Sequence, residues 1–116
     1  IASPETADVY NPKVISATMG SFTRVSVFYT ELNEYLSSTK LPCWGAFLDG
    51  IDVHQIDFSA GGYIVIGNES RGISPQVEEK VTQKITIPRH GQAESLNAAI
   101  ATAIICDVVV NSKLKV

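Results

Sequence analysis

Glu69, Arg71, Ser95, Asn97, His54 and His90 are side chains of this sequence whose type and setting could do chemistry. Glu69 lies in the polar stretch Gly67-Asn68-Glu69-Ser70-Arg71-Gly72, directly after the apolar run Tyr63-Ile64-Val65-Ile66. A carboxylate there is either part of a plain polar turn or a group aimed into a pocket, and the sequence leaves both readings open. The flanking glycines point to close backbone approach or unusual torsions. Arg71 beside it reads as a surface partner, and exposed pairs contribute little. Ser95 and Asn97 stand at the head of a long Ala/Ile/Val segment. Ser95 reads as a helix cap rather than a nucleophile. A Ser-His-Asp set of Ser95, His90 and Asp107 has no nucleophile-elbow motif behind it. Asn is a weak helix former, so Asn97 serves either a helix-end hydrogen bond or a function.

The elements that must position these groups follow from the apolar runs. Tyr63 to Ile66 reads as a buried central strand, Ser74 onward as a helix, and Lys84-Ile85-Thr86-Ile87 as the last strand. The turn Pro88-Arg89-His90-Gly91 then leads to the final helix. Strand, helix, strand, helix is the signature of a parallel α/β sheet. Parallel strands end on one edge, and open α/β sheets bind their ligands at the carboxyl edge. Residues 67–69 and 89–91 are therefore expected on one rim, with residues 95–97 close by. No GxGxxG or P-loop occurs, which removes those two nucleotide fingerprints.

Upstream, Asn11 and Pro12 can cap and open a helix that ends between Gly20 and Arg24. Val25-Ser26-Val27-Phe28 reads as a strand, residues 31–38 as a helix closed before Pro42, and residues 44–48 as a further strand. Asp49, Asp52, His54 and Asp57 lie close together, but their spacing fits neither a zinc motif nor a calcium loop, so the stretch reads as a solvated loop without metal. His54 and His90 read as solvated loop histidines. Ser74 and Pro75 start a helix whose positive end suits Glu78 and Glu79. The final helix is apolar nearly all round, which calls for burial within the domain or in a subunit interface.

The chain has 116 residues, 45% of them hydrophobic and 18% charged, as expected for one globular domain. Its net charge of -3 argues against binding nucleic acid by overall charge, so any grip on RNA must be local. Cys43 and Cys106 show no metal spacing and read as two buried, reduced thiols of a cytoplasmic protein. The run from Ile100 to Val110 is too short for a membrane span and Asp107 interrupts it. No initiating Met is present, and the sequence reads as an N-terminally truncated piece of a longer one.

Two of these stretches, in order and correctly spaced, resemble the motifs of a known family. Ile64-Val65-Ile66-Gly67-Asn68-Glu69-Ser70-Arg71-Gly72-Ile73-Ser74 is similar to the second motif of the SpoU/TrmH RNA 2'-O-ribose methyltransferases of the SPOUT superfamily. Residues 87–101, from Ile87-Pro88-Arg89 through Ser95-Leu96-Asn97, are similar to the third. Residues 8–22 resemble the segment that precedes both, so the likeness covers nearly the whole chain.

The resemblance implies an α/β fold, a mostly parallel sheet with flanking helices and a C-terminal deep trefoil knot that forms a cleft for S-adenosylmethionine. It implies cofactor contacts at Gly67, Asn68, Ile87 and Leu96, and active-site roles for Glu69, Ser95 and Asn97. It implies methyl transfer to a ribose 2'-hydroxyl of tRNA or rRNA, and a homodimer in which the final helix contributes to the interface. Some members often carry Arg where this chain has Ser16, and Ser where it has Ala99. The family's first motif, of the type N-x-G-x-x-R with its arginine held to act on the hydroxyl, is not in this chain. The expectation is therefore a cofactor-binding portion with little activity alone, and its alternative is a non-catalytic module that dimerises or binds RNA or a nucleotide.

Overall fold

The structure is a computed structural model and describes residues 1–92 and 95–114. Ala93 and Glu94, inside the third motif, lie outside the described residues. The chain divides into two compact units, Ile1–Ser38 and Thr39–Val116.

The first unit is mostly loop with two short helices. Helix α1, Pro12–Thr18, starts as its sequence dictates: the Asn11 side chain accepts from the Lys13 N–H at 2.9 Å and Pro12 takes the first turn. It stops at Met19, a non-glycine residue with φ 49°, followed by a short 3-10 turn at Ser21–Thr23. Helix α2 is Leu32–Ser37, and Leu36 is its buried residue. The strand expected over Val25 to Phe28 is absent. Only Tyr29 pairs, through an isolated parallel bridge to Ala2: Ala2 N–H donates to Phe28 O at 2.8 Å and Thr30 N–H to Ala2 O at 2.9 Å. Val25 and Phe28 remain 63% and 60% exposed. Apolar residues become a strand only beside another strand, and these have none among the described residues.

The second unit holds the sheet. Its strands are β1 (Cys43–Asp52), β2 (Tyr63–Val65) and β3 (Gln83–Thr86), in the order β2-β1-β3 with both pairings parallel. The run at Tyr63 is thus an edge strand among the described residues, not the central strand its apolar character predicts. The longer β1 takes the centre. β1 also extends four residues beyond the expected Leu48, into the stretch read as loop. It does so through an irregularity: Ala46 and Ile51 both face Ile85, and residues 47–50 bulge between them. Gly50 closes that bulge, because a Cβ there would lie 2.8 Å from the Lys84 carbonyl. At the strand origins Thr82 ties β1 to β3, its N–H donating to Cys43 O at 2.8 Å and its hydroxyl accepting from Cys43 N–H at 2.9 Å.

The core comprises Trp44, Val53, Phe58, Ile85 and Ile105, with Ile64, Ile66, Ile87, Val108 and Val109 packed on it. Trp44 and Phe58 meet edge to face with centroids 4.8 Å apart. Helix α3, Pro75–Glu78, has the expected Ser74 cap, whose hydroxyl accepts from the Val77 N–H at 3.4 Å. Helix α4 runs Ala98–Leu114. Its cap is Asn97 rather than the expected Ser95. The Asn97 side chain accepts from the N–H groups of Ala99 at 2.9 Å and Ile100 at 3.3 Å. The helix starts two residues later than a Ser95 cap requires. One face of α4 puts Ile105 into the core, while Leu96 before it and Ile100 and Val110 within it stay exposed. Cys106 follows the exposed side, which corrects the expectation of two buried thiols; Cys43 is buried, and burial pushes its pKa up. No helix among the described residues is long and apolar enough to cross a membrane.

Candidate active site at the carboxyl edge of the sheet

Because both pairings are parallel, three turns leave the sheet at one edge: residues 53–55 after β1, 66–74 after β2 and 87–91 after β3. This is the rim expected from the sequence. Helix α4 packs against the Val53–Gln55 turn, so its body is tied to the same edge.

The turn after β2 is wired by its own atoms. Asn68 and Gly72 form a two-way antiparallel bridge, Asn68 N–H to Gly72 O at 3.1 Å and Gly72 N–H to Asn68 O at 2.9 Å. The Asn68 side-chain oxygen accepts from Ser70 N–H at 2.9 Å, Ser70 hydroxyl at 2.8 Å and Arg71 N–H at 3.2 Å. Gly72 takes φ 69°, a torsion that favours glycine. Gly67 is required for a different reason. A Cβ there would run into the Gly72 backbone and sit 2.5 Å from Ile73 N. The resemblance assigns Asn68 to the cofactor, and the structure adds that its side-chain oxygen shapes the turn. Glu69 lies at the exposed tip of that turn.

The segment after β3 is different. Ile87 is half-buried and packs on the core, whereas Arg89, His90, Gly91, Ser95, Leu96 and Asn97 are exposed. Asn97 is placed by its capping bonds. No hydrogen bond among the described residues joins Glu69, Ser95 and Asn97 to one another. The structure brings their elements to one edge and leaves the three groups separately held.

One polar pair was missed by sequence reasoning. Asp52, at the end of β1, accepts at Oδ1 from the His54 backbone N–H at 2.9 Å and lies 2.8 Å from His54 Nδ1. These bonds, the backbone one first, hold the Asp52 carboxyl below the usual carboxylate range, with a further contribution from His90. The sequence signal was an aspartate two residues before a histidine, the spacing of a side-chain-capped turn. Among the described residues no group of three His, Cys, Asp or Glu side chains is placed to hold a metal ion. An open cleft of about 620 Å³ occurs in the first unit, lined by residues such as Tyr10, Phe22, Arg24 and Val27, and none of the candidate residues lies in it.

Comparison with known proteins assigns the frame in which this edge stands. Residues 1–107 match the model of the SpoU rRNA Methylase family. The chain is similar to the 23S rRNA (guanosine(2553)-2'-O)-methyltransferase RlmP of Bacillus subtilis, 33% identical over 104 residues that make up 86% of this chain and 42% of that protein. It is also similar to the 23S rRNA (uridine(2479)-2'-O)-methyltransferase of Streptomyces viridochromogenes, 30% identical over 94% of this chain and 42% of the relative. Among solved structures it superposes on the SpoU methyltransferase AviRb of that organism in complex with AdoMet, with a TM-score of 0.89, 28% identity and coverage of 99% of this chain and 49% of that one. The chain spans less than half the length of these relatives. With a family match across both units, the chain belongs to the SpoU rRNA Methylase family.

Proposed function

We propose that this chain is the cofactor-binding part of an RNA 2'-O-ribose methyltransferase that takes its methyl group from S-adenosylmethionine. The observation that carries the reading is the coincidence of two findings. The turns after β2 and β3 share the carboxyl edge of a parallel sheet, and a relative solved with AdoMet superposes on 99% of this chain.

The residues present suit such a cofactor. Ile87 and Leu96 would offer apolar surface for an adenine ring, Gly67 lets the turn after β2 close on Gly72, and Glu69 would bring a carboxylate to the same edge. Bound there, the cofactor supplies the methyl group. In this reading Gly67, Asn68, Ile87 and Leu96 form the cofactor side, Asn68 by fixing the turn that carries its neighbours. The same reading puts Glu69, Ser95 and Asn97 on the polar side, orienting the ribose hydroxyl by hydrogen bonds. We place residues 1–116 in one domain, because the family match over residues 1–107 runs across both units; the trefoil knot is what the family resemblance adds to this reading. The exposed apolar side of α4, Ile100 and Val110 with Leu96 before it, supports a homodimer. In this reading the protein modifies tRNA or rRNA in the cytoplasm. The arginine expected of the first motif is absent from these residues, so the chain alone is expected to bind cofactor and to methylate RNA poorly.

The test is calorimetric titration with S-adenosylhomocysteine. Saturable binding that disappears in Gly67→Val and in Asn97→Leu is the expected result. A folded chain that shows no binding overturns the assignment of this edge. Robust 2'-O-methylation by the chain alone overturns the expectation of low activity.

A further inference from the structure

We propose that the open cleft of the first unit holds one nucleotide of single-stranded RNA, its base stacked on the aromatic lining led by Tyr10 and its phosphate paired with Arg24. The proposal rests on the RNA reading given above and adds a place, outside the candidate residues, where the RNA is held.

The chain's net charge of -3 gives no general attraction for a polyanion, so a grip on RNA has to be local. The cleft has the parts for one. Its volume of about 620 Å³ falls within the roughly 300–1,000 Å³ of sites that take small organic groups. Three aromatic residues, Tyr10, Phe22 and Tyr29, line it together with one cation, Arg24.

Each of these is set by local bonds. Tyr10 sits on a turn in which Asp8 Oδ1 accepts from the Tyr10 N–H at 2.9 Å and Asp8 O accepts from the Asn11 N–H at 2.9 Å. Those bonds fix its backbone and leave Tyr10 71% exposed, high for an aromatic residue. The Tyr29 hydroxyl accepts from the Val9 N–H at 2.9 Å and donates to Ala7 O at 2.7 Å, which ties residues 7–9 to the run that ends at Tyr29. Arg24 follows the 3-10 turn Ser21–Thr23, and its N–H donates to Ser21 O at 2.9 Å. Among the described residues its guanidinium has neither an ion pair nor a hydrogen bond. Asp8, the carboxylate that lines the cleft, makes no ion pair with it.

The chemistry of a nucleotide matches both parts. Every nucleobase has a π-face, so an aromatic lining accepts bases whatever their sequence. A guanidinium is always charged and presents a planar fork of N–H donors to phosphate oxygens. Single-stranded RNA offers a free face and a phosphate together, whereas a duplex keeps its faces stacked inside. A peptide strand is the other occupant such a cleft invites, because residues 25–27 have no ladder among the described residues. It would pair with the main chain and leave the guanidinium without an anion. The nucleotide uses both features.

The experiment is fluorescence anisotropy of a labelled single-stranded RNA of about eight nucleotides over a salt series, with calorimetry of S-adenosylhomocysteine in parallel. The wild-type chain is expected to bind, with an affinity that falls as salt rises. Tyr10→Ala is expected to weaken RNA binding roughly tenfold. Arg24→Gln is expected to weaken it and to flatten the slope of log affinity against log salt by about 0.7, the share of one single-strand phosphate. Arg24→Lys should keep the slope. Tyr10 and Arg24 are exposed, so thermal melts and cofactor titrations of the three variants should match the wild type. Absence of RNA binding by the wild-type chain overturns the proposal, and so does binding that Tyr10→Ala and Arg24→Gln leave unchanged. A second copy in the cleft also overturns it, and would show by light scattering as a dimer that Tyr10→Ala splits. RNA binding that depends on Tyr10 and Arg24 without cofactor binding would support the cleft and defeat the methyltransferase reading. Cofactor binding without RNA binding would do the reverse, so the two failures are distinguishable.

Discussion

Val25-Ser26-Val27-Phe28 and Tyr63-Ile64-Val65 are similar in composition and opposite in outcome. Both are short runs of β-branched and aromatic residues. The second pairs with Cys43, Trp44 and Gly45 of β1 and packs Ile64 on the core. The first makes no ladder, and its side chains stay largely in solvent. Strand propensity measures fit to a pleated, half-buried surface, and only one of these runs is offered such a surface by the described residues. A sequence run therefore specifies a strand only together with its neighbour.

The contrast is broken most forcefully at Ile85, which is 0% exposed and faces β1 at both Ala46 and Ile51. Ile85→Ala is expected to cost about 2–5 kcal/mol in denaturant unfolding. Next comes Gly67→Ala, where the new Cβ meets the backbone of Gly72 and Ile73. A loss of about 1–3 kcal/mol is expected, with weakened binding of S-adenosylhomocysteine. Asn97→Ala removes the cap of α4 and is expected to cost about 1 kcal/mol in the same assay. Asn97→Ser or Asn97→Asp should recover most of that stability; if cofactor binding stays lost, the residue has a role beyond capping. Val25→Ser sharpens the comparison from the other side. It is expected to change stability by no more than about 0.5 kcal/mol, and a large loss would show that the run is buried after all.

The smallest effect expected is at Asp52. Its folded pKa is lowered by the His54 hydrogen bonds. The stabilisation is therefore present above the unfolded carboxylate value and is lost as pH falls through the lower, folded one. Thermal melts of Asp52→Asn and the wild-type chain should differ near neutral pH and converge in strong acid.

Two helix starts were legible because a side chain there bonds its own neighbourhood. Asn11 with Pro12 and Ser74 with Pro75 start their helices as read, because a cap needs only two or three adjacent residues. The shared rim was legible too, since parallel strands have no choice of edge. The strand assignments that failed depended on partners distant in sequence. Tyr63 looked central because it is apolar, but strand order is decided by β1, which outcompetes it for the middle. Residues 49–57 looked like loop because three aspartates outweigh Ile51 and Val53; β3 nevertheless recruits Ile51 and Asp52, and Val53 is wholly buried. Ser95 and Asn97 are both good caps, and the choice between them fell to the point at which α4 begins. At the site, the elements were legible and the individual hydrogen bonds were not: neither the Asp52–His54 pair nor the turn bonds of the Asn68 side chain were read from the sequence.

The doubled pairing of Ile85 has a use in protein engineering. Ala46 and Ile51 are both held against that one residue, so residues 47–50 form a loop fastened at its base, with Leu48 O also accepting from the Thr86 hydroxyl at 3.2 Å. Extra residues inserted between Leu48 and Asp49 would lengthen the loop without sliding either half of β1 along β3. A short peptide tag or a dye-bearing cysteine placed there would report on the carboxyl edge while leaving the strand register, and the turn that carries Asp52 and His54, where they are.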